Sequence, residues 1–187
     1  ETETQIQRLL QERDAQIRLG ETIAQQVDAQ TDDPSFSRIK TPEIYLGYAL
    51  ARQPLGNAEG FFPGKNVVYT IPPTLEKNLV YLEGEWKNNP DHMELVSDTG
   101  KIVLIYEAKN VNLVAGNTGT LSVTLNDTPI SASEKGNDVV IDPAQQNTIT
   151  ISDQRLYNVV SDADYFKKTL SLTVTGNGFR LYTFTFG

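Results

Sequence analysis

Apolar and polar residues alternate along most of the chain after residue 43, with the two-residue period of half-buried β-strands. In 101–108, Ile102, Leu104, Tyr106 and Ala108 form one wholly apolar row, and the intervening positions are mixed. The alternation recurs, or short strand-like runs are found, in nine further segments: 120–126, 169–175, 179–187, 66–71, 79–86, 92–96, 138–141, 148–151 and 155–160. We predict an antiparallel strand at each.

Turn-forming residues separate these strands. Asn126-Asp127, Gly176-Asn177-Gly178 and Asp98-Thr99-Gly100 are each typical of a hairpin connection. Many short strands with no helix among them indicate a β-sandwich or barrel. We therefore predict an all-β fold, a jelly-roll β-sandwich of the carbohydrate-binding-module or galactose-binding-like kind. The regular pattern of 179–187 predicts that the last strand is central to it.

The first part of the chain has a helical period instead. One stripe recurs at three- and four-residue spacing in residues Ile6, Leu9, Leu10, Arg13 and Ile17. The following run, 28-DAQTDDPS-35, has no periodicity and is typical of a linker. We predict a helical segment at 1–29, a linker at 30–40 and a sandwich module at 41–187. The helical stripe should dock on a neighbouring domain or on the sandwich.

Composition narrows the functional classes. The 187 residues carry a net charge of −8, and a negative field disfavours nucleic acid as a partner. The chain has no cysteine, so it can form no disulfide or thiolate metal site of its own. No stretch approaches the roughly 20 apolar residues of a membrane span. Because the sequence begins ETETQIQ, without methionine or a signal peptide, we expect a fragment or a processed chain.

Catalytic and metal-ligating groups are sparse. His92 is the single histidine, and we expect it at the surface or at a strand edge. Glu83 and Glu85 could act as a carboxylate pair, but two residues apart on a strand they are more typical of a solvated face. Two pairs of acids offer oxygen ligands for calcium without matching an EF-hand loop, namely Asp138 with Asp142 and Asp162 with Asp164. We predict no enzyme, metal or cofactor site.

Binding chemistry is better represented. Sugar rings bind to aromatic planes flanked by amides, acids and arginine, and five residues offer such groups: Tyr45, Tyr48, Trp86, Arg155 and Tyr157. Core packing is the alternative for each aromatic residue, and it is favoured for Trp86 because a single tryptophan in a sandwich usually lies between the sheets.

Several strings resemble, in order, the C-terminal module of DipZ-type proteins, a thioredoxin family with a trailing carbohydrate-binding-like domain. The strings are 41-TPEIYLGYA-49, 84-GEW-86, 100-GKIVLIYEAKNVNLVAG-116, 121-LSVTLNDTPI-130, 155-RLYNVV-160 and 182-YTFTFG-187. The opening string is expected to be the first strand of the module. The N-terminal string 1-ETETQIQRLLQER-13 is similar to the last helix of the family's thioredoxin domain. The family's redox Cys-x-x-Cys would lie upstream of residue 1.

The resemblance implies a non-catalytic module of an extracytoplasmic redox protein, periplasmic or at the cell surface and sometimes tethered to a membrane domain. Its partners would be the upstream thioredoxin-like domain and, as a candidate ligand, a carbohydrate or cell-wall glycan. A second hypothesis is a structural domain that docks on the thioredoxin domain and shapes access to its active site without binding sugar. A third, a small glycosidase or lyase, is disfavoured by the shortage of paired catalytic groups.

Overall fold

The structure, a computed structural model, describes residues 38–144 and 146–187. Within these ranges the chain forms β-strands and no α-helix. The strands are β1 Ile44–Tyr45, β2 Asn66–Tyr69, β3 Val80–Asn88, β4 Met93–Leu95, β5 Thr99–Gly116, β6 Gly119–Leu125, β7 Thr128–Pro129, β8 Val140–Ile141, β9 Asn147–Ile151, β10 Arg155–Thr175 and β11 Arg180–Phe186. The predicted helix at 1–29 and most of the predicted linker lie outside the described residues, so both stay predictions.

Every pairing between these strands is antiparallel, in the order β1-β11-β4-β3-β5-β10-β6-β9-β8. In addition, β2 pairs with β3, β7 pairs with β6, and β11 pairs with β5 as well as with β4. The all-β prediction is confirmed, and the arrangement is consistent with the predicted β-sandwich. The last strand, β11, pairs with β1, β4 and β5, which agrees with the central position predicted for it.

The two longest strands, β5 and β10, pair with each other over almost their whole length. The first half of β5 lies between β3 and β10, whereas its second half lies between β11 and β10. The sequence predicted two separate strands, at 155–160 and 169–175, where the structure has the single strand β10. The prediction missed this continuity because the residues between them, from Ser161 to Lys168, are mostly polar and interrupt the alternation.

The core-facing positions of β5 change phase at its midpoint. They are even-numbered up to Ala108 and odd-numbered from Val111 onward. With an uninterrupted two-residue period, the apolar residues of the second half would face solvent. The strand therefore contains one extra residue between Ala108 and Val111, as in a β-bulge. Backbone bonds to the last residue hold this point, because the N–H groups of Lys109 and Asn110 donate to the Gly187 carbonyl at 2.9 and 2.8 Å.

Large aromatic residues fill the core, including Trp86, Phe179 and Phe184, all fully buried. Buried tyrosines place their hydroxyl groups against backbone polar groups, as buried phenols generally must. Tyr69 donates to the Gly60 carbonyl at 2.8 Å, and Tyr81 accepts the Glu76 N–H at 2.7 Å. The hydroxyl group of Tyr106 is buried without a hydrogen-bond partner, and burial raises its pKa strongly.

The predicted turns are confirmed in two of three cases. Asn126 and Asp127 both have positive φ, 49° and 61°, which is the backbone of a tight hairpin turn between β6 and β7. Gly176 and Gly178, with φ of 137° and 87°, connect β10 to β11. The hairpin predicted at 98–100 is wrong: β4 pairs with β3 and β11 rather than with β5, which itself begins at Thr99.

The segment 41-TPEIYLGYA-49 contributes a strand of only two residues, β1. Gly47, two residues beyond the strand, lies so close to the connection between β3 and β4 that a Cβ atom there would be 2.2 Å from Asp91 Cα. Thr41 fixes the start of the module by donating to Asn78 Oδ1 and accepting the Glu107 N–H, both at 2.8 Å. In the described part of the chain no helix has the length and apolarity needed to cross a bilayer.

Because Phe184 is fully buried on the central strand, we expect Phe184→Ala to lower the free energy of unfolding by about 3–5 kcal/mol. Leu156→Ala is the control: that side chain is 47% exposed, so the change should stay within about 0.5 kcal/mol. Urea unfolding measures both. Equal losses in the two variants would contradict the placement of β11 in the core.

Candidate functional site

The strand register defines one solvent-facing surface on β1, β11, the second half of β5 and the first half of β10. Directly paired residues share a face, and the row Ile44, Phe184, Leu113 and Tyr157 is fully buried. The neighbouring rows point to the opposite face. On that face Thr183, which is paired with Tyr45, is buried and donates from Oγ1 to the Ile44 carbonyl at 2.9 Å, whereas the other side chains are partly exposed. We call these partly exposed side chains the outer face: Tyr45, Asn112, Val114, Leu156, Asn158 and Thr185.

A row of hydrogen-bonded polar side chains crosses the outer face. Asn158 Nδ2 donates to Asn112 Oδ1 at 2.8 Å, and Asn112 Nδ2 donates to Thr185 Oγ1 at 3.4 Å. The Asn137 N–H donates to Asn158 Oδ1 at 2.8 Å. These bonds orient both amides. Asn158 Nδ2 also donates to the Val160 carbonyl at 3.3 Å, so the hydrogen-bonding capacity left in fixed directions lies mainly on Asn112 and Thr185. The sequence analysis missed Asn112, Asn158 and Thr185, although each is a polar residue at an outward position of an alternating segment.

Tyr45 lies on β1 opposite Thr183, two residues along β11 from the Thr185 end of this row, and is half-buried. Its hydroxyl group donates to Glu43 Oε2 at 2.8 Å, and this hydrogen bond raises the pKa of Tyr45. The Arg52 guanidinium lies 5.2 Å from the centroid of the ring, a cation–π distance. Tyr45, an arginine, a carboxylate and the amide row together are the group types that recognise hydroxyl-rich ligands.

Tyr48 lies apart from β1, in the turn that follows it. The Tyr48 N–H donates to the Asn89 carbonyl at 3.2 Å, and the Ala49 N–H donates to the Pro90 carbonyl at 2.9 Å. This places the turn against the connection between β3 and β4. Its side chain is half-buried, so a ligand contact at Tyr48 stays a prediction.

Trp86 is fully buried, the alternative that the sequence favoured. Its ring meets Phe179 edge-on, with centroids 6.2 Å apart, and its Nε1 donates to the Glu83 carbonyl at 2.9 Å. A Cβ atom at Gly100 would lie 3.1 Å from the indole. With its faces covered by protein, Trp86 presents no surface to a ligand, and the expected contact there is replaced by a packing role.

Arg155 and Tyr157 form a closed arrangement rather than an open one. The Arg155 guanidinium lies 3.7 Å from the Tyr157 ring centroid and donates to Asp138 Oδ1 at 2.8 Å. The Tyr157 side chain is fully buried, and its hydroxyl group donates to the Asp153 carbonyl at 2.7 Å. Arg155 thus covers the tyrosine and neutralises an acid, which leaves only the outer side of the guanidinium for a ligand.

The acids considered for calcium have other partners. Asp162 and Glu134 both accept hydrogen bonds from Lys168, and Asp164 pairs with Arg38. Burial alone would lower the pKa of Lys168, but the bonds to the two carboxylates outweigh it and raise that pKa. Among the residues that the structure describes, no three His, Asp or Glu side chains are grouped to hold a metal ion.

His92 lies just before β4, at the strand edge as expected. Its Nδ1 is 2.7 Å from Asp91 Oδ1, and its ring packs against Tyr182 with centroids 5.0 Å apart. Glu83 is exposed, whereas Glu85 is half-buried and its Oε1 accepts a hydrogen bond from Asn66 Nδ2 at 3.3 Å. His92 and Glu85 are thus held by neighbouring side chains. Glu83 lines a shallow cleft with Gly84, Lys101 and Thr173, and no second carboxylate lines that cleft.

Comparison with known proteins agrees with this architecture. A family model described as "Thioredoxin like C-terminal domain" matches residues 41–187. Two curated relatives, each named Protein DipZ, are 29% identical to the chain over 135 residues; they come from Mycobacterium bovis (strain ATCC BAA-935 / AF2122/97) and Mycobacterium tuberculosis (strain CDC 1551 / Oshkosh). Each alignment covers 72% of this chain and 19% of the relative, so the chain spans a minor part of their length.

The Arg155–Asp138 pair should make stability depend on pH. Burial of Asp138 would raise its pKa, but the bonds from Arg155 and from the Asn158 N–H outweigh burial and lower it. A lowered pKa stabilises the fold above the unfolded-state pKa, near 4, and this contribution is lost as the pH falls through the folded-state value. We expect Asp138→Asn to lower the unfolding free energy at pH 7, by less than about 1 kcal/mol for so exposed a pair.

The difference between wild type and Asp138→Asn should shrink below about pH 4, as measured by urea unfolding at several pH values. Glu83→Gln, which removes an exposed carboxylate of β3, is the control and should change little over the range. A difference for Asp138→Asn that grows on acidification would contradict the assignment.

Proposed function

The chain belongs to the thioredoxin like C-terminal domain family, and from this premise we propose that it is a non-catalytic accessory module of a thioredoxin-like redox protein. The absence of cysteine supports the non-catalytic part, because thiol–disulfide exchange needs a thiolate in the exchanging domain. Any redox activity of the whole protein would then reside upstream. The proposed location is extracytoplasmic, and the proposed partner is the thioredoxin-like domain of the same chain.

We propose that the module binds carbohydrate, a cell-wall glycan in particular, on the outer face. The observation that carries this proposal is the fixed polar row of Asn112, Asn158 and Thr185, with the Tyr45 ring near its Thr185 end. An aromatic ring can cover the apolar side of a sugar while preoriented amides bond to its hydroxyl groups. Because the amides are held in place before binding, little side-chain entropy would be lost on association.

A jelly-roll connectivity is part of the same proposal. The two long strands that pass from one half of the fold to the other support it, because strands of such sandwiches change sheets by bends and bulges. Binding on one face of a sandwich leaves the opposite face free to pack in the core.

Docking on the thioredoxin domain, without sugar, is the second candidate function. Leu156 favours it, because this large apolar side chain is 47% exposed on the β10 side of the outer face, next to Val114. Apolar surface among polar groups is typical of interdomain contacts. In that case the module would shape access to the upstream active site.

Glycan binding is tested by NMR titration with cello-oligosaccharides and N-acetylglucosamine oligomers, following the side-chain amide signals of Asn112 and Asn158. We expect these signals to shift saturably and Tyr45→Ala to weaken binding about five- to tenfold, since ring contacts contribute about 1 kcal/mol. Phe62→Ala is the matched control, because Phe62 is 50% exposed outside the outer face. The glycan proposal fails if no signal of the outer face moves, or if both variants weaken binding equally.

Docking is tested with Leu156→Glu in a chain extended through the upstream domain. A buried carboxylate at a domain contact is costly, so we expect faster amide exchange across the outer face of the variant than of wild type. Val68→Glu, at a valine that is 67% exposed on β2, serves as the control. Exchange rates unchanged by Leu156→Glu would leave no support for docking through this surface.

A further inference from the structure

A groove of about 710 Å³ lies at the end of the fold where β8 forms the edge of the sheet. Its volume is typical of ligand sites. It has no residue in common with the outer face and contains no aromatic side chain. The walls are mostly aliphatic, with few polar groups, and comprise Pro129, Ile130, Ser131, Ala132, Lys135, Asn137, Val139, Val140, Ile141 and Asn147.

One buried polar atom in this groove lacks a partner. Asn147 is 6% exposed, and its Nδ2 donates to the Ile130 carbonyl at 3.0 Å, which fixes the orientation of the amide. Its Oδ1 is buried and accepts no hydrogen bond. A buried unpaired acceptor is unfavourable, so a ligand that donates a hydrogen bond there would remove this penalty.

The outward edge of β8 offers backbone groups to the same groove. The Asp142 N–H bonds to the Gln146 carbonyl at 3.0 Å, and bonded pairs alternate along an antiparallel ladder. The residue paired with Asn147, Ile141, therefore points its N–H and C=O away from β9. Two residues earlier, Val139 is already bonded: its N–H donates to the Gly136 carbonyl at 3.2 Å and its carbonyl accepts from Lys135 Nζ at 2.9 Å. Ile141 is therefore the residue of this edge whose backbone groups can bond to a ligand.

We propose that this groove binds an extended apolar peptide segment of a partner protein. The peptide lies along the outward edge of β8, exchanges backbone hydrogen bonds with Ile141, directs a side-chain donor toward Asn147 Oδ1 and packs apolar side chains against Ile130 and Val139. Peptide addition to a sheet edge uses this combination of backbone bonds and aliphatic pockets. A sugar fits less well, because the walls offer no ring on which it could stack.

The test is an NMR titration of the chain with three capped hexapeptides in which threonine alternates with valine, leucine or phenylalanine. We expect at least one peptide to shift the Ile141 backbone amide and the Asn147 side-chain amide saturably. An N-methylated version of that peptide, which lacks N–H donors, should bind about tenfold more weakly. This comparison needs no protein variant.

Ala132→Arg places a long side chain in the groove from an exposed position, and Ser133→Arg makes the same change on the next residue, which does not line it. The first should abolish the shifts and the second should keep them. The proposal is overturned if no hexapeptide shifts these signals up to about 5 mM, if N-methylation or Ala132→Arg has no effect, or if a cello-oligosaccharide shifts them and the peptides do not.

Discussion

The structure depends on one backbone constraint, the change of face in the middle of β5. Alternation alone would point the second half of this strand away from the core, where Leu113 would lose its partners Phe184 and Tyr157. The irregularity at Lys109 and Asn110, bonded to the last residue of the chain, corrects the phase and keeps one continuous apolar row. The outer face is the other side of that row, so its amide ladder follows from the same constraint.

Several charged side chains form ion pairs within the fold and are therefore largely unavailable to a ligand. Lys168 joins Asp162 to Glu134 beside the irregular part of β10, and Arg155 joins Asp138 over the Tyr157 ring. These groups have satisfied one another and offer little to a ligand. The outer face and the groove at β8 differ from these ion pairs. The outer face has oriented amides near Tyr45, and the groove has a buried acceptor, Asn147 Oδ1, without a partner. We propose both as sites for noncovalent recognition, and in the described part of the chain neither contains three grouped metal-ligating side chains.

The alternating pattern was sufficient to predict the all-β fold and most strands, because a half-buried strand encodes its face locally. It could not predict that 155–160 and 169–175 form one strand, since the joining residues are stabilised by ion pairs that no local period reveals. Trp86 illustrates the same limit for the site: residue type suggested a binding platform, whereas tertiary packing buries it. The amide row went unnoticed because Asn112 and Asn158 are 46 residues apart and only the register brings them together.

Cross-strand NOEs in assigned NMR spectra test the register most directly. The account predicts contacts between Ser161 and Asn110 and next between Phe166 and Ala108, so that five steps along β10 match two along β5. An uninterrupted register, with Ala163 opposite Ala108, would contradict it. In that case Lys168 would no longer lie opposite Tyr106, and the first half of β5 would pair with different residues of β10.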